Sequence, residues 1–160
     1  MEKKSVLFLC FGNTCRSPIA EACFKHLVAT RGVEKQWRVE SAGTSSISAG
    51  DPPNPRGRSC MQSHDIYHYV EDCRSRKVKL QDFYEFNFIF AMDSSNMGNL
   101  KELCPTDSTS KLLMLGSYDN DPSSNGVIDD PYGSPNPDEY ERVYDQCSRA
   151  CCRFMDSLRP

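Results

Sequence analysis

The sequence predicts an α/β fold in which a four-stranded parallel sheet is doubly wound, with helices on both faces. Short apolar runs alternate with amphipathic segments along the 160 residues, which is typical of strands joined by helical crossovers. The first apolar run, residues 6–9, is continuous rather than alternating, as expected for a central strand buried on both faces. A chain of this length suits one domain, which we expect to span residues 1–160.

The first strand is followed by a strong helix signal. Ser17 is a favoured N-cap residue, and Pro18 suits the first helical position. Apolar residues recur at a spacing of three and four through residues 19–28, which makes one face that can pack on a sheet. Gly32 is the expected end of this helix.

The middle of the chain carries a second strand at residues 37–42 and a rigid, proline-rich loop at residues 51–55. A short helix is expected over residues 57–64, whereas residues 65–79 are polar and show no clear periodicity.

A third strand is predicted at residues 86–92, followed by a helix that Asp93 or Ser94 caps. A fourth strand is predicted at residues 111–115, and the turn-forming residues 117–126 indicate a surface loop.

The last helix is expected to begin with Asn136 as N-cap, Pro137 as first residue and Glu139 at the third position. Its apolar stripe comprises Tyr140, Val143, Tyr144, Cys147, Cys151, Phe154 and Leu158.

Composition and charge exclude several classes of protein. The net charge of −3 argues against a nucleic-acid partner, and the longest apolar run, six residues, is too short for a membrane span. We expect no secretory signal, because residues 1–4 lead directly into the apolar run without a small-residue cleavage site. The odd number of cysteines, nine, then indicates free thiols in a reducing, cytoplasmic compartment.

The segment with the strongest chemical signal joins the first strand to the first helix. Cys10 ends the strand, and a helix N-terminus follows, which attracts phosphate and favours the thiolate form of a cysteine. Gly12 and Asn13 accept positive φ readily, so the loop can turn its amides inward. Arg16 offers a planar fork for two phosphate oxygens. The sequence therefore predicts a phosphate site with a cysteine nucleophile.

The string VLFLCFGNTCRSPIAEA at residues 6–22 contains Cys-x5-Arg-Ser and closely resembles the low-molecular-weight protein tyrosine phosphatase family. Residues 37–43, 91–96 and 130–133 resemble further segments of that family. The resemblance extends over nearly the whole chain and implies a flavodoxin-like (Rossmann-like) sheet.

The resemblance implies a role for each matched residue. Cys10 is expected to attack phosphorus, and Arg16 to bind the phosphate. Asp130, which we prefer to its neighbour Asp129, is expected to act as the general acid and then the general base. Ser17 is expected to stabilise the Cys10 thiolate. The phosphate-binding loop comprises Phe11, Gly12, Asn13, Thr14, Cys15 and Ser17.

Other residues are expected to support this loop or shape the cleft. Ser41 and Asp93 are expected behind the loop, Tyr132 on a wall of the cleft, and Cys15 as a redox partner of Cys10.

The chain also departs from the family pattern. Many relatives have a second tyrosine where Gly133 follows Tyr132. Where the family often carries a loop-supporting histidine, Cys73 aligns, with His64 and His68 as the other candidates.

The predicted activity is hydrolysis of phosphotyrosine in proteins, and of small aryl phosphates as by an acid phosphatase, without a metal or cofactor. Thiol reductants are expected to reactivate the oxidised enzyme. One alternative is a thiol-based arsenate reductase that uses Cys73, and another is a phosphate-binding module without catalysis. Local spacing of Cys and His gives no sign of a metal site.

Overall fold

The computed structural model describes residues 3–159, and its sheet consists of four parallel strands in the order β2-β1-β3-β4. The strands are β1 (Lys4–Cys10), β2 (Trp37–Gly43), β3 (Phe88–Ala91) and β4 (Lys111–Met114). β1 pairs with β2 on one side and with β3 on the other, so the chain changes direction across the sheet at β1. Ligands bind at the carboxyl end of such a switch point.

Five α-helices connect or flank these strands. They are α1 (Arg16–Thr30), α2 (Pro55–Ser63), α3 (Asp82–Glu85), α4 (Ser94–Leu103) and α5 (Asp138–Ser157). Short 3-10 turns occur at Glu34–Gln36, Tyr67–Tyr69 and Leu115–Tyr118. No helix within residues 3–159 combines the length and the apolar character that crossing a bilayer requires.

The two faces of the sheet bury two separate apolar clusters, because side chains alternate along a strand. Val6 and Phe8 of β1 point into the larger cluster, which α1 and α5 cover and which includes Phe154. Leu7 and Leu9 point into the smaller cluster, covered by residues of α3 and α4. The predicted doubly wound α/β fold, with helices on both faces, is confirmed.

Several element boundaries differ from the prediction. Phe86 does not extend β3; it packs into the smaller cluster just before the strand. α5 begins at Asp138, one residue later than predicted, although Asn136 Oδ1 still accepts a hydrogen bond from the Asp138 amide, as the predicted N-cap would. The 3-10 turn at Tyr67–Tyr69 lies in the polar stretch of residues 65–79, which showed no clear periodicity, and α3 lies in a segment for which no element was predicted.

The start of α1 also differs, in a way that matters for the site. The helix begins at Arg16 with Cys15 as N-cap, so Ser17 lies inside the first turn. Its hydroxyl group does not cap the helix but contacts Cys10 and Asn13. The end of α1 agrees with the sequence: Gly32 follows the helix with a φ of 69°.

Candidate active site

A cleft of about 310 Å³ opens at the carboxyl end of β1. The structure brings together here most of the residues that the sequence singled out, although they come from distant parts of the chain. The lining residues are Cys10, Phe11, Gly12, Thr14, Cys15, Arg16, Ile47, Ser48, Asp130 and Tyr132.

Cys10 lies at the floor of the cleft with only 3% of its surface exposed. Its Sγ atom is 3.0 Å from Ser17 Oγ, and Ser17 Oγ in turn accepts a hydrogen bond of 2.9 Å from Asn13 Nδ2. Since Asn13 occupies a lone pair of the hydroxyl oxygen, the hydroxyl proton can point to the sulfur. A donor in this position stabilises negative charge on Cys10.

Asn13 fixes the shape of the loop. It has a φ of 58°, a left-handed conformation that Asn tolerates better than most residues. Its buried amide donates to Ser17 Oγ and to Ser41 Oγ, each over 2.9 Å, and accepts from the Arg76 amide over 3.1 Å. Ser41 Oγ in turn donates a hydrogen bond to Glu21 Oε1 over 2.6 Å. Ser41 therefore lies behind the loop, as predicted from the sequence.

Two further contacts on the loop had no clear sequence signal. Ser75 Oγ donates to the Gly12 carbonyl group over 2.7 Å. Gly43, the last residue of β2, packs so closely that a Cβ atom there would lie 2.7 Å from the Phe11 carbonyl oxygen. Only glycine allows this approach of strand and loop.

The three candidates for a loop-supporting side chain lie elsewhere. Cys73 Sγ donates to Glu21 Oε2 over 3.4 Å, and so touches the network behind the loop rather than the loop itself. His64 pairs with Glu141 over 2.7 Å, and His68 packs against Tyr69. The side chain that donates a hydrogen bond to the loop backbone is Ser75 instead.

The first turn of α1 faces the cleft without a side-chain cap from any residue that the structure describes. The N–H groups of a first helical turn have no partner within the helix. They are therefore available to an anion, and the helix dipole adds a partial positive charge.

Arg16 is almost completely buried and fixed by acidic and carbonyl groups. Its Nη1 atom donates to Asp93 Oδ2 over 2.6 Å and to the Ile128 carbonyl group over 3.0 Å, and Nη2 lies 3.7 Å from Asp130 Oδ2. Burial opposes the charge, but the hydrogen bond that Arg16 donates to Asp93 and the nearby acidic groups raise the pKa of Arg16 above its ordinary value. Its Nε atom is buried and has no partner within residues 3–159. A guanidinium group held in this way offers an unused donor to a ligand.

The two adjacent carboxylates, Asp129 and Asp130, point to different places. Asp130 lines the cleft, where its Oδ1 atom accepts the Tyr132 amide over 3.0 Å. Asp129 lies outside the cleft, with Oδ2 at 3.7 Å from Arg142 Nη1. Only Asp130 is thus placed to exchange a proton with a molecule bound in the cleft.

The rim of the cleft is apolar and exposed. Phe11, Ile47 and Tyr132 are 50%, 76% and 71% exposed, respectively. Large apolar side chains are usually buried, and a group of them around one opening indicates a binding surface for an aromatic or apolar group. Gly133, where many relatives have a second tyrosine, has a φ of 85° and no side chain to offer.

Cys15 shares the cleft with Cys10 but has a different environment. Its Sγ atom lies 3.7 Å from Tyr140 Oη. Burial raises the pKa of the Cys15 thiol above its ordinary value, so this residue stays protonated near neutral pH.

The cleft itself holds no cluster of metal-ligand side chains. Within residues 3–159, one group of such side chains comes close enough for an ion, and it lies outside the cleft: Cys60, His64 and Glu141.

The chain is similar to known proteins over nearly its whole length. Residues 5–160 match the family model described as low molecular weight phosphotyrosine protein phosphatase. The relative of that name from Gallus gallus is 44% identical over 157 residues, which cover 97% of this chain and 96% of the relative.

Two solved structures extend the comparison to the fold. A protein tyrosine phosphatase from Entamoeba histolytica, with Hepes in its active site, is 31% identical; its TM-score is 0.89, over 98% of this chain and 97% of that one. A Drosophila protein described as DARP, an arginine phosphatase, is 37% identical; its TM-score is 0.89, over 97% of this chain and 98% of that one.

Proposed function

The chain belongs to the low-molecular-weight phosphotyrosine protein phosphatase family and is a phosphotyrosine phosphatase, and from that premise we propose which of its residues carry out each step. The observation that carries the proposal is the contact of 3.0 Å between Cys10 Sγ and Ser17 Oγ. It lies on the floor of a cleft that also contains Arg16 and Asp130.

Binding of the phosphate dianion depends on local charge, because the chain as a whole carries a net charge of −3. Arg16 and the free N–H groups at the start of α1 supply that charge. The exposed rim of Phe11, Ile47 and Tyr132 binds the aromatic ring of the substrate. Phosphoproteins are therefore suitable substrates, since the cleft accepts a side chain that projects from a surface.

In the first displacement, the Cys10 thiolate attacks phosphorus and a P–S bond forms. The bond between phosphorus and the tyrosine oxygen breaks, and its electron pair goes to the leaving oxygen. Asp130, protonated at this stage, donates its proton to that oxygen. Arg16 and the loop amides stabilise the equatorial oxygens of the transferring group.

In the second displacement, water attacks the phosphocysteine. Asp130, now a carboxylate, takes a proton from this water, and phosphate leaves as the P–S bond breaks. The electron pair of that bond returns to sulfur, where the Ser17 hydroxyl group stabilises the thiolate. Asp130 keeps the proton that it took from water. At the end of the cycle Asp130 is therefore protonated and Cys10 is a thiolate, as at the start.

The test is hydrolysis of p-nitrophenyl phosphate by the wild-type chain, Cys10→Ser and Cys104→Ser. We expect Cys10→Ser to abolish turnover with its circular dichroism spectrum unchanged, because serine is nearly isosteric with cysteine. Cys104→Ser is the matched control and should retain activity, since Cys104 caps the C-terminal end of α4 and does not line the cleft. Turnover by Cys10→Ser comparable to wild type would rule out the proposed nucleophile.

Phosphoarginine is a second candidate substrate, because the similar Drosophila structure is described as an arginine phosphatase. The cleft could also accept a guanidinium leaving group, since the Asp130 carboxylate lies at its mouth. Rates measured on two peptides that differ only in phosphotyrosine or phosphoarginine decide between them. Faster cleavage of the phosphoarginine peptide would reassign the main substrate.

The other two alternatives receive less support. An arsenate reductase needs further thiols near the nucleophile, but Cys15 is the one other cysteine among the residues that line the cleft. A binding module needs no carboxylate at the position of Asp130. A reducing, cytoplasmic setting is supported by the nine free cysteines, and thiol reductants would then keep Cys10 active.

A further inference from the structure

A second group of chemically reactive side chains lies where α2 meets α5, away from the catalytic cleft. Cys60 and His64 come from α2 and its C-terminal cap, and Glu141 comes from the first turn of α5. Their ligand atoms, a sulfur, an imidazole nitrogen and a carboxylate oxygen, all lie within 4.8 Å of one another. We call this group the Cys60 cluster.

The backbone holds the Cys60 cluster in place. Cys60 and His64 are four residues apart, so they lie on the same side of the helix. The His64 ring stacks on Tyr144 of α5, with centroids 3.7 Å apart and planes inclined by 10°. Cys60 is 6% exposed, and its Sγ atom donates to the Tyr140 carbonyl group over 3.6 Å. Packing between two helices thus orients the three ligand groups before any ion is present.

The donor set fits zinc better than the other common divalent ions. Zn²⁺ binds thiolate, imidazole and carboxylate, whereas Mg²⁺ and Ca²⁺ prefer oxygen ligands alone. Tetrahedral Zn²⁺ places such donor atoms roughly 3.3–3.6 Å apart, given bond lengths of about 2.0–2.3 Å. His64 Nε2 and Glu141 Oε2 are already 2.7 Å apart. All three donor atoms lie within 4.8 Å of one another, so shifts of about 1 Å bring them to tetrahedral spacing.

A fourth coordination position is also available. A cavity lined by Cys60, Ser63, Tyr140 and Glu141, among others, lies against the cluster. Water in this cavity can reach an ion that three protein ligands hold. Three protein ligands and one water complete a tetrahedral zinc site.

We propose that Cys60, His64 and Glu141 bind one Zn²⁺ ion, with water from the adjoining cavity as the fourth ligand. Coordination by Cys60 replaces its S–H bond with a Zn–S bond, and the proton passes to solvent. His64 binds as neutral imidazole through Nε2. Its hydrogen bond with Glu141 is then replaced by one metal bond to each of the two residues. No electron transfer is involved, and the thiolate and carboxylate together balance the charge of the ion.

The competing explanation is a hydrogen-bonded triad that needs no metal. Burial and the Glu141 carboxylate raise the pKa of the Cys60 thiol to about 12, so the apo cluster keeps its proton. A metal ion that binds Cys60 has to displace the thiol proton, and this requires a metal with high affinity for thiolate. A spectroscopic readout of the metal–sulfur bond therefore separates the two explanations.

The experiment uses Co²⁺ as a spectroscopic substitute for Zn²⁺, added to the full chain that carries Cys10→Ser. This background removes the active-site nucleophile as a metal ligand, so the result does not depend on the catalytic proposal. We expect one equivalent of Co²⁺ to give a thiolate-to-cobalt charge-transfer band and the visible bands of tetrahedral cobalt. Addition of Zn²⁺ should remove both signals by displacing Co²⁺.

Two variants with matched controls assign the signal. Cys60→Ser should eliminate the charge-transfer band, while Cys152→Ser, a cysteine elsewhere on α5, should leave it unchanged. His64→Phe keeps the aromatic stack on Tyr144 but removes the ligand nitrogen, and should weaken binding at least tenfold. His68→Phe, an exposed histidine outside the cluster, should not.

Thermal unfolding gives a second, independent readout. Zn²⁺ at one hundred times its Kd should raise the Tm of the Cys10→Ser chain by roughly 5–10 °C, because the ion binds the folded state. The shift should be lost in His64→Phe even if Cys60→Ser folds poorly. The proposal is overturned if Co²⁺ gives no charge-transfer band, or if the band and the Tm shift survive both Cys60→Ser and His64→Phe.

Discussion

Replacement of Asn13 tests whether the phosphate loop owes its shape to one buried side chain. Asn13→Ala removes three hydrogen bonds, to Ser17, Ser41 and the Arg76 amide. At about 1 kcal/mol each, their loss costs about 3 kcal/mol. Alanine at the observed φ of 58° adds a steric cost of roughly 1 kcal/mol. We expect the free energy of unfolding to fall by about 4 kcal/mol in total.

Asn13→Gly separates the two contributions. Glycine loses the same hydrogen bonds but accepts the left-handed conformation, at a backbone entropy cost of about 0.5–1 kcal/mol. Its loss should therefore be smaller than that of Asn13→Ala by no more than about 0.5 kcal/mol, the difference between the two backbone costs. Asn125→Ala, on the exposed loop before Gly126, serves as the control and should stay within about 0.5 kcal/mol of wild type.

The assay is urea unfolding with linear extrapolation, together with kcat/KM on p-nitrophenyl phosphate. Both Asn13 variants should lose at least tenfold in kcat/KM, because Ser17 is no longer oriented toward Cys10. The reasoning fails if Asn13→Ala unfolds within about 1 kcal/mol of wild type, which is less than the three buried contacts should contribute. It fails equally if glycine is clearly worse than alanine, since the backbone conformation would then carry no strain.

The remaining predictions concern the catalytic groups. Asp130→Ala should slow cleavage of phosphotyrosine peptides by about 10²–10⁴-fold, and p-nitrophenyl phosphate less; a large defect in Asp129→Ala instead would reverse the assignment. Arg16→Lys should lose most of kcat/KM despite its positive charge, because an ammonium group cannot replace the planar fork; near wild-type kinetics would contradict the bidentate role. Brief peroxide treatment should oxidise the Cys10 thiolate to a sulfenic acid, which the Cys15 thiol converts to a disulfide with release of water. Peptide mass mapping should show this link, and thiol reductant should restore activity; absence of the linked peptide, or full recovery of Cys15→Ser from oxidation, would refute it.

The sequence was most informative where the chemistry is local. The strand, loop and helix around Cys10 are contiguous, so the order of residues already indicates the order of the elements and their polarity. The strands could also be predicted from local pattern, since β1, β3 and β4 contain short apolar runs and β2 alternates Trp37 and Val39 with charged residues. Side chains far apart in the chain, such as Asp93 and Asp130, joined this site through the family resemblance rather than through any local pattern.

The predictions failed where a polar side chain had a choice of partner. Ser17 matches the preference for an N-cap, but its hydroxyl group contacts the Cys10 thiol and the Asn13 amide instead of capping the helix. Ser75 supports the loop from within a polar stretch without periodicity. Spacing along the chain could not reveal the Cys60 cluster either, because Glu141 lies on α5, about eighty residues after Cys60 in the sequence.

The contrast between the buried nucleophile and the exposed rim has an evolutionary consequence. Cys10 is buried at the end of the central strand, so a substitution by any clearly larger side chain disturbs the strand end and the loop together. Ile47 and Tyr132 are mostly solvated, and exposed substitutions usually alter folding by less than about 0.5 kcal/mol. Mutations can therefore accumulate at the mouth of the cleft without a threat to folding or to the reaction. Substitutions at the rim can therefore change which target proteins the chain binds, while selection preserves the catalytic residues.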